Sequence, residues 1–147
     1  MAEGVAGVLE VVGDRWALLV VREVGLGLRR FDEIQSATGM PRGGLSDRLQ
    51  RLTEAGILST RPYRIPGSRA RIEYTLTEAG FDLLPVLSAL SDWGERHLTP
   101  GAPGTPDLIP DIVYRHTGCG GRVTVKMQCE CGEQTEPQGR LIAEVNR

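Results

Sequence analysis

The sequence predicts a mainly α-helical fold with a small β-hairpin (an α+β fold), followed by a small C-terminal β-ribbon. Apolar residues recur with helical spacing through most of the first 98 positions. Between Gly56 and Thr77 that spacing gives way to two short segments of strand-like composition. A third observation concerns the C-terminal part, where all three cysteines lie between Cys119 and Cys131 among turn-forming glycines.

Three helices are predicted near the N-terminus. A short apolar helix ends at Gly13, and Asp14 stands where the cap of a second, mostly buried helix belongs. The third helix spans Arg30 to Thr38 and ends at Gly39.

A fourth helix starts at Pro41, whose missing N–H costs nothing in a first turn, and closes at Gly56. Its residues Leu45, Leu49 and Leu52 recur at i, i+4 and i+7, which predicts one buried stripe.

The strand pair is predicted at Ile57–Tyr63 and Arg71–Leu76, with a turn-rich tip between them. Thr77 is placed to cap a final long helix from Glu78 to about Leu98. We expect Pro85 to kink this helix or to remove one of its hydrogen bonds. Its predicted apolar ridge consists of Leu83, Leu84, Leu87 and Leu90.

This order of elements is that of a winged helix-turn-helix, in which the fourth helix reads DNA and the hairpin forms the wing. We therefore expect residues 1–98 to form a DNA-binding domain. Residues 99–111 are rich in proline and glycine and are expected to form a semi-rigid linker that isolates the tail from the wing. Residues 112–147 form the tail.

The charge distribution favours double-stranded DNA as a partner although the net charge is −2. Between Arg29 and Arg71 nine arginines face four acidic residues, a local charge of +5. A local basic surface decides binding because fields act over about one Debye length, roughly 8 Å. No apolar run approaches the ~18 residues that span a bilayer, and no signal peptide is visible, so we expect a cytoplasmic, nucleoid-associated protein without membrane contact.

The candidate DNA contacts lie on two elements and on the segment before the third helix. On the fourth helix, the side opposite the leucine stripe and its flanks hold Arg42, Gly43, Ser46, Asp47, Gln50 and Arg51. Gly43 and Gly44 indicate either close approach of the backbone to a phosphate or a frayed helix start. Arg48 and Arg51 have the alternative of pairing within the chain with Asp47 or Glu54.

The predicted wing carries four arginines with no acidic residue among them before Glu73, which favours contact with phosphates or the minor groove. They are Arg61, Arg64, Arg69 and Arg71. Arg29 and Arg30, before the third helix, are further candidates for a phosphate contact.

These motifs, taken in order, resemble a known family. The matching segments are Gly13-Asp14-Arg15-Trp16, Arg22-Glu23, Arg30-Phe31-Asp32-Glu33-Ile34, Leu45-Ser46-Asp47-Arg48-Leu49, Leu52-Thr53-Glu54-Ala55-Gly56-Ile57-Leu58, Glu73-Tyr74-Thr75-Leu76-Thr77, Gly80, Pro85-Val86-Leu87 and Trp93-Gly94. They resemble HxlR-type winged helix-turn-helix regulators of the MarR-like superfamily over about residues 4–98. The resemblance implies a homodimer, joined through the first and last helices of residues 1–98, that binds an operator near a promoter.

One departure from the family bears on regulation. Several members carry an oxidant- or electrophile-sensing cysteine near the N-terminus, and by spacing that position falls near Glu3. Because no cysteine precedes Cys119 here, we do not expect thiol sensing at that site, and the effector is not identified.

The tail resembles a zinc ribbon, with potential ligands on two turns either side of a strand-like stretch, Arg122–Met127. The candidate zinc ligands are His116, Cys119, Cys129 and Cys131, and zinc is the one cofactor that the sequence indicates. The second turn is Cys-x-Cys rather than the usual Cys-x-x-Cys, so the alternatives are a ribbon that has lost its metal and free thiols.

We expect a sequence-specific transcriptional regulator. The alternative is a protein-interaction module on a winged-helix scaffold without strong DNA binding. An enzyme is not expected, because the sequence shows no nucleophile–base pair, no phosphate-binding glycine loop and no paired buried carboxylates.

Overall fold

The computed structural model describes residues 4–99, 101, 103, 112–138 and 141–144. Six helical segments and two antiparallel strand pairs occur in this part of the chain. The helices are α1 (Gly4–Val12), α2 (Ala17–Gly25), α3 (Phe31–Thr38), α4 (Arg42–Glu54), α5 (Glu78–Phe81) and α6 (Leu84–His97). The strands are β1 (Leu58–Tyr63), β2 (Arg71–Leu76), β3 (Met127–Gln128) and β4 (Gln134–Thr135). The predicted fold class, a winged helix-turn-helix with a small C-terminal ribbon, is confirmed. Most of the predicted linker, 99–111, lies outside the described residues.

The core lies where α2, α3, α4 and β1 meet. The three leucines of the predicted stripe, Leu45, Leu49 and Leu52, are each at most 1% exposed. They pack with apolar residues of α2 and with Ile34 of α3. Burying leucine side chains contributes about 1.5–3 kcal/mol each, so this stripe fixes the side of α4 that faces the core and leaves the opposite side to solvent.

The turn between α3 and α4 depends on glycine. Gly39 has a φ of 71°, in the left-handed region, and its N–H donates to the carbonyl of Gln35 at 2.8 Å. This geometry ends α3 and lets α4 begin at Arg42, one residue after Pro41.

The last helix differs from its prediction, because it is divided into α5 and α6. Thr77 caps α5 as predicted, since its hydroxyl accepts the N–H of Gly80 at 3.1 Å. The break falls before Pro85, which then stands in the first turn of α6, where it sacrifices no hydrogen bond. The predicted ridge is wrong at Leu90, which is 52% exposed, while Leu87 is buried.

The wing is the hairpin of β1 and β2, paired in register from Leu58 opposite Leu76 to Tyr63 opposite Arg71. The segment before α3 adds to its edge: the N–H of Tyr74 donates to the carbonyl of Arg29 at 2.8 Å, and Arg30 bridges to Glu73. The start of α3 and the wing are therefore tied by backbone hydrogen bonds.

The tail contacts the helical domain. The guanidinium of Arg122 donates to Asp92 at 3.0 Å and to Glu95 at 2.5 Å, both on α6. Burial raises the pKa of the Tyr114 hydroxyl, and the charges of Arg22 and Glu23 on α2 also act on it. Of the predicted strand over Arg122–Met127, only its two ends pair: Arg122 bridges to Arg115, and Met127 pairs with Thr135 across the second cysteine turn.

None of the helices in the described ranges is long and apolar enough to cross a membrane.

Candidate nucleic-acid interface

The solvent-facing side of α4 presents every candidate residue that the sequence placed there. Arg42, Gly43, Ser46, Asp47, Gln50 and Arg51 are all exposed. The side chain of Arg42 is 74% exposed at the first turn of the helix, the end that a reading helix usually presents to base edges.

No steric contact within the chain requires a glycine at position 43. A Cβ built on it would meet no atom within 4 Å, and its φ is not positive. The structure places Gly43 inside α4, which begins at Arg42. The space above Gly43 is open to a group from outside the chain.

Polar contacts hold several of these side chains within the chain. Arg42 lies 3.6 Å from Asp32 and stacks over the ring of Phe31 at 4.8 Å. Gln50 donates to Glu54 at 2.9 Å. Such exposed contacts contribute at most about 1 kcal/mol, so a base edge or phosphate can replace them at little cost.

Arg48 and Arg51 differ in their pairing. Arg48 donates to Asp47 at 2.7 Å and to Asp14 at 2.9 Å, and only 23% of its side chain is exposed. Arg51 lies 4.0 Å from Asp47 and is 55% exposed. Both arginines therefore pair internally, Arg48 closely and Arg51 at the limit of an ion pair, and Arg51 keeps the more exposed side chain.

The wing arginines do not form one uniform set. Arg61 is ion-paired with Glu73, which stands directly opposite it in the hairpin register, so the expectation of four unopposed arginines is wrong at this position. The order of residues along the chain did not reveal this ion pair, because Glu73 follows all four arginines in the sequence but lies opposite Arg61 across the two strands. Arg64, Arg69 and Arg71 are exposed at or near the tip.

Arg30 lies against the wing through a contact that the sequence did not indicate. Its guanidinium stacks over the ring of Tyr63 at 4.7 Å. No local pattern could have revealed this pair, because the two residues meet only when the hairpin folds onto the start of α3. Glu33 accepts the N–H groups of Arg29 and Arg30, each at 3.1 Å, and these two hydrogen bonds lower the pKa of its carboxyl. This exposed segment is thus fixed in place beside the wing.

The candidate zinc ligands of the tail lie in two tight turns. The Sγ of Cys119 is 3.5 Å from Nδ1 of His116 in the first, and Cys129 and Cys131 share the second. In the part of the chain that the structure describes, no group of three or more histidine, cysteine, aspartate or glutamate residues is placed to hold a metal ion. Structural zinc needs four ligands that converge in a tetrahedron, so this arrangement does not supply a ready site. The zinc site and its alternatives, a ribbon that has lost its metal and free thiols, all stay predictions.

Comparison with known proteins agrees with this geometry. The model of a family described as HxlR-like helix-turn-helix matches residues 11–102. An uncharacterized HTH-type transcriptional regulator of Mycobacterium tuberculosis is 41% identical over 133 residues, which are 90% of this chain and 79% of that protein.

Two solved structures are also similar. PA1607, described as a candidate transcription factor, superposes with a TM-score of 0.77 at 29% identity and covers 98% of this chain and 96% of its own. The reduced form of the transcriptional regulator YodB from Bacillus subtilis has a TM-score of 0.57 at 26% identity, over 69% of this chain and 98% of its own.

Proposed function

Because the chain belongs to the HxlR-like helix-turn-helix family, we propose that it is a transcriptional regulator that binds a DNA operator as a homodimer. The observation that carries this proposal is the surface formed by the exposed side of α4 and the tip of the wing. Both elements turn accessible arginines to solvent, and the segment of Arg29 and Arg30 lies between them.

The two elements suit different kinds of contact. Arg42, Ser46 and Gln50 stand on the face of α4 that a major groove would meet, where arginine pairs with guanine and glutamine with adenine. The open space above Gly43 allows the backbone of α4 to approach the duplex closely. Arg64 and Arg69 at the wing tip suit phosphates, which fix register without reading sequence.

Exposed apolar residues of α1 and α6 support the homodimer. On α6, Val86, Leu90 and Trp93 are each 44–53% exposed and recur at i, i+4 and i+7, so they share one side of the helix. The tail occupies another side, through the pairing of Arg122 with Asp92 and Glu95. On α1 the exposed apolar residues are Val5, Val8, Leu9 and Val11. An apolar surface of this kind marks an association site, and a symmetric pair of chains would bury it.

Gel retardation with the DNA upstream of the protein's own gene tests the binding. We expect a complex that persists in excess random DNA, because specific binding is typically 10³–10⁷ times tighter than non-specific binding. Equal retardation of random DNA, or none, would favour the protein-interaction module instead.

Analytical ultracentrifugation tests the dimer separately. We expect the wild type to sediment as a dimer and Leu90→Glu to sediment as a monomer with weakened operator binding. Leu26→Glu is the matched control, because Leu26 is also 52% exposed but belongs to neither α1 nor α6, since it directly follows α2. A monomeric wild type that still retards DNA would contradict the homodimer, and a dimeric Leu90→Glu would contradict the placement of its interface on α6.

A further inference from the structure

We propose that the first hairpin of the tail braces the distal half of α6 (89–97), and that this brace sets the spacing of the two DNA-binding surfaces in the homodimer. The hairpin, here called the brace hairpin, spans residues 112–123. The N–H of Val123 donates to the carbonyl of Tyr114 at 2.8 Å. Because Arg122 directly precedes Val123, this hydrogen bond holds Tyr114 and Arg122 close together on opposite arms of the hairpin.

The distal half of α6 has little support from the core. At its start α6 packs closely on α2, since a Cβ built on Gly25 would lie 3.1 Å from the side chain of Leu84. Leu87 and Ser88 are buried, but no residue of α6 after Ser88 is buried, in a helix that the structure describes from end to end. Helical segments with few buried contacts open locally at a low free energy. Another contact is therefore needed to fix the direction of the distal half.

Arg122 provides that contact. Its guanidinium donates to Asp92 at 3.0 Å and to Glu95 at 2.5 Å, and these two carboxylates lie about one turn apart on α6. The side chain of Asp92 is 24% exposed, although its neighbours on either side along the chain are not buried. A single guanidinium that binds two positions of one helix fixes the rotation of that helix as well as its distance from the tail.

The other arm of the brace hairpin is the less exposed part of the tail. Ile112 and Tyr114 are partly buried, whereas every residue from 115 to 134 is exposed. The charges of Arg22 and Glu23 on α2 act on the Tyr114 hydroxyl. Exposed ion pairs alone are weak, so the partial burial of this arm is needed to hold the hairpin while Arg122 binds α6.

The consequence for DNA rests on the proposed function. In the homodimer the distal half of α6 would present Leu90 and Trp93 to the partner, while the leucine stripe fixes α4 on α2. The angle between α6 and α2 then determines how far apart the two copies of α4 stand. Half-sites one helical turn apart accept only a narrow range of such distances. Arg122 is therefore a positioning residue, which acts on DNA through α6 and without touching the duplex.

Hydrogen exchange of the full chain without DNA tests the brace. In Arg122→Glu, backbone amides of the distal half should exchange at least about tenfold faster than in the wild type, because the new carboxylate repels the two on α6 and local opening becomes easier. Amides of α4 should be unchanged. Sedimentation at the same concentration should find the same oligomeric state, and a variant that has become monomeric would overturn the spacing role. Equal exchange in both proteins would overturn the brace.

Reversing the ion pair identifies the contact. Glu95→Arg should also speed exchange of the distal half, and combining it with Arg122→Glu should bring the rate back to within about threefold of the wild type, because the pair re-forms with opposite polarity. Arg115→Glu is the matched control, since Arg115 bridges to Arg122 in the hairpin but donates to the carbonyl of Gly120. Failure of the double variant to recover, or equally fast exchange in Arg115→Glu, would overturn the assignment to Arg122.

Operators that differ only in the distance between their half-sites test the consequence. Joint binding of two sites exceeds binding of one by roughly 10²–10⁴ when the geometry lets both engage. We expect Arg122→Glu to bind the natural spacing at least about tenfold more weakly, to discriminate less against spacings altered by about one base pair, and to bind a single half-site as the wild type does. An equal loss on the single half-site would overturn the spacing role, because the DNA-binding surface itself would then be affected.

The two measurements separate this inference from the proposed function. Faster exchange in Arg122→Glu with an unchanged spacing preference would overturn the link to DNA. Faster exchange in Arg122→Glu, in a protein whose wild type retards no DNA, would support the brace and refute the proposed function.

Discussion

Asp14 and Arg48 join the start of α2 to the middle of α4. Arg48 Nε donates to Asp14 Oδ1 at 2.9 Å, and the same oxygen accepts the N–H groups of Trp16 and Ala17 at 2.9 and 3.1 Å. One carboxylate oxygen thus caps α2 and pairs with α4. Because the leucine stripe of α4 packs on α2, this ion pair reinforces the orientation in which the opposite side of α4 meets solvent.

Asp14→Ala should lower the free energy of unfolding by about 1–2 kcal/mol, since it removes a helix cap. Asp14→Asn should retain part of the cap and lose the ion pair. Urea unfolding measures both, and Asp82→Ala, at an exposed aspartate after α5, serves as the control. A double-mutant cycle with Arg48→Ala should show coupling, because the two side chains touch. Additive effects would mean that the ion pair contributes nothing.

The stability should also fall with acid through Asp14. Partial burial alone would raise the pKa of its carboxyl, but the hydrogen bonds from Trp16, Arg48 and Ala17 outweigh it, and the pKa lies below the ordinary 3.8. A carboxyl with a lowered folded pKa stabilises the fold above its unfolded pKa, and that contribution is lost as the pH falls through the folded value. Thermal midpoints of wild type and Asp14→Asn should therefore converge as the pH falls from about 5 to below 3.8. A difference that stays constant with pH would refute this role.

Substitutions in α4 and in the wing should weaken DNA binding in different ways. Arg69→Ala should weaken specific and random DNA alike and reduce the slope of log affinity against log salt, as loss of a phosphate contact does. Gln50→Ala and Arg42→Ala should instead relax base preference, by roughly 1–3 kcal/mol for each lost base contact. Anisotropy titrations at several salt concentrations distinguish the two patterns. Equal losses on operator and random DNA for all three variants would contradict the assignment.

The tail should carry reactive thiols rather than a full zinc site, because its second turn is Cys-x-Cys rather than Cys-x-x-Cys and its candidate ligands do not converge within the described residues. We expect well under one zinc per chain in protein purified without chelator, and reaction of all three exposed cysteines with a thiol reagent under native conditions. One zinc per chain would restore the zinc-ribbon prediction, if Cys119→Ser abolished it and loosened residues 112–147. Such a ribbon would fold with the energy of metal binding.

The sequence was sufficient wherever one local pattern decided the structure. The spacing of Leu45, Leu49 and Leu52 predicted both the buried and the exposed sides of α4, and the β-like composition predicted the wing. Contacts between distant segments could not be predicted this way. Pairing of Arg61 with Glu73 depends on strand register, and docking of Arg122 on α6 depends on the path of the chain after that helix. Helical spacing also could not tell that Leu90 is exposed rather than part of the core, since an apolar residue on a helix suits either a core or an association surface.

Footprinting of the operator complex tests the central claim most directly, because it reports sequence preference and dimeric binding together. We predict two protected half-sites forming an inverted repeat, with centres about 10–10.5 bp apart on one face of the duplex. The protection should disappear with Leu90→Glu at a concentration where Leu26→Glu retains it. A single unpaired half-site, or protection that spreads evenly along the DNA, would contradict sequence-specific binding by a homodimer.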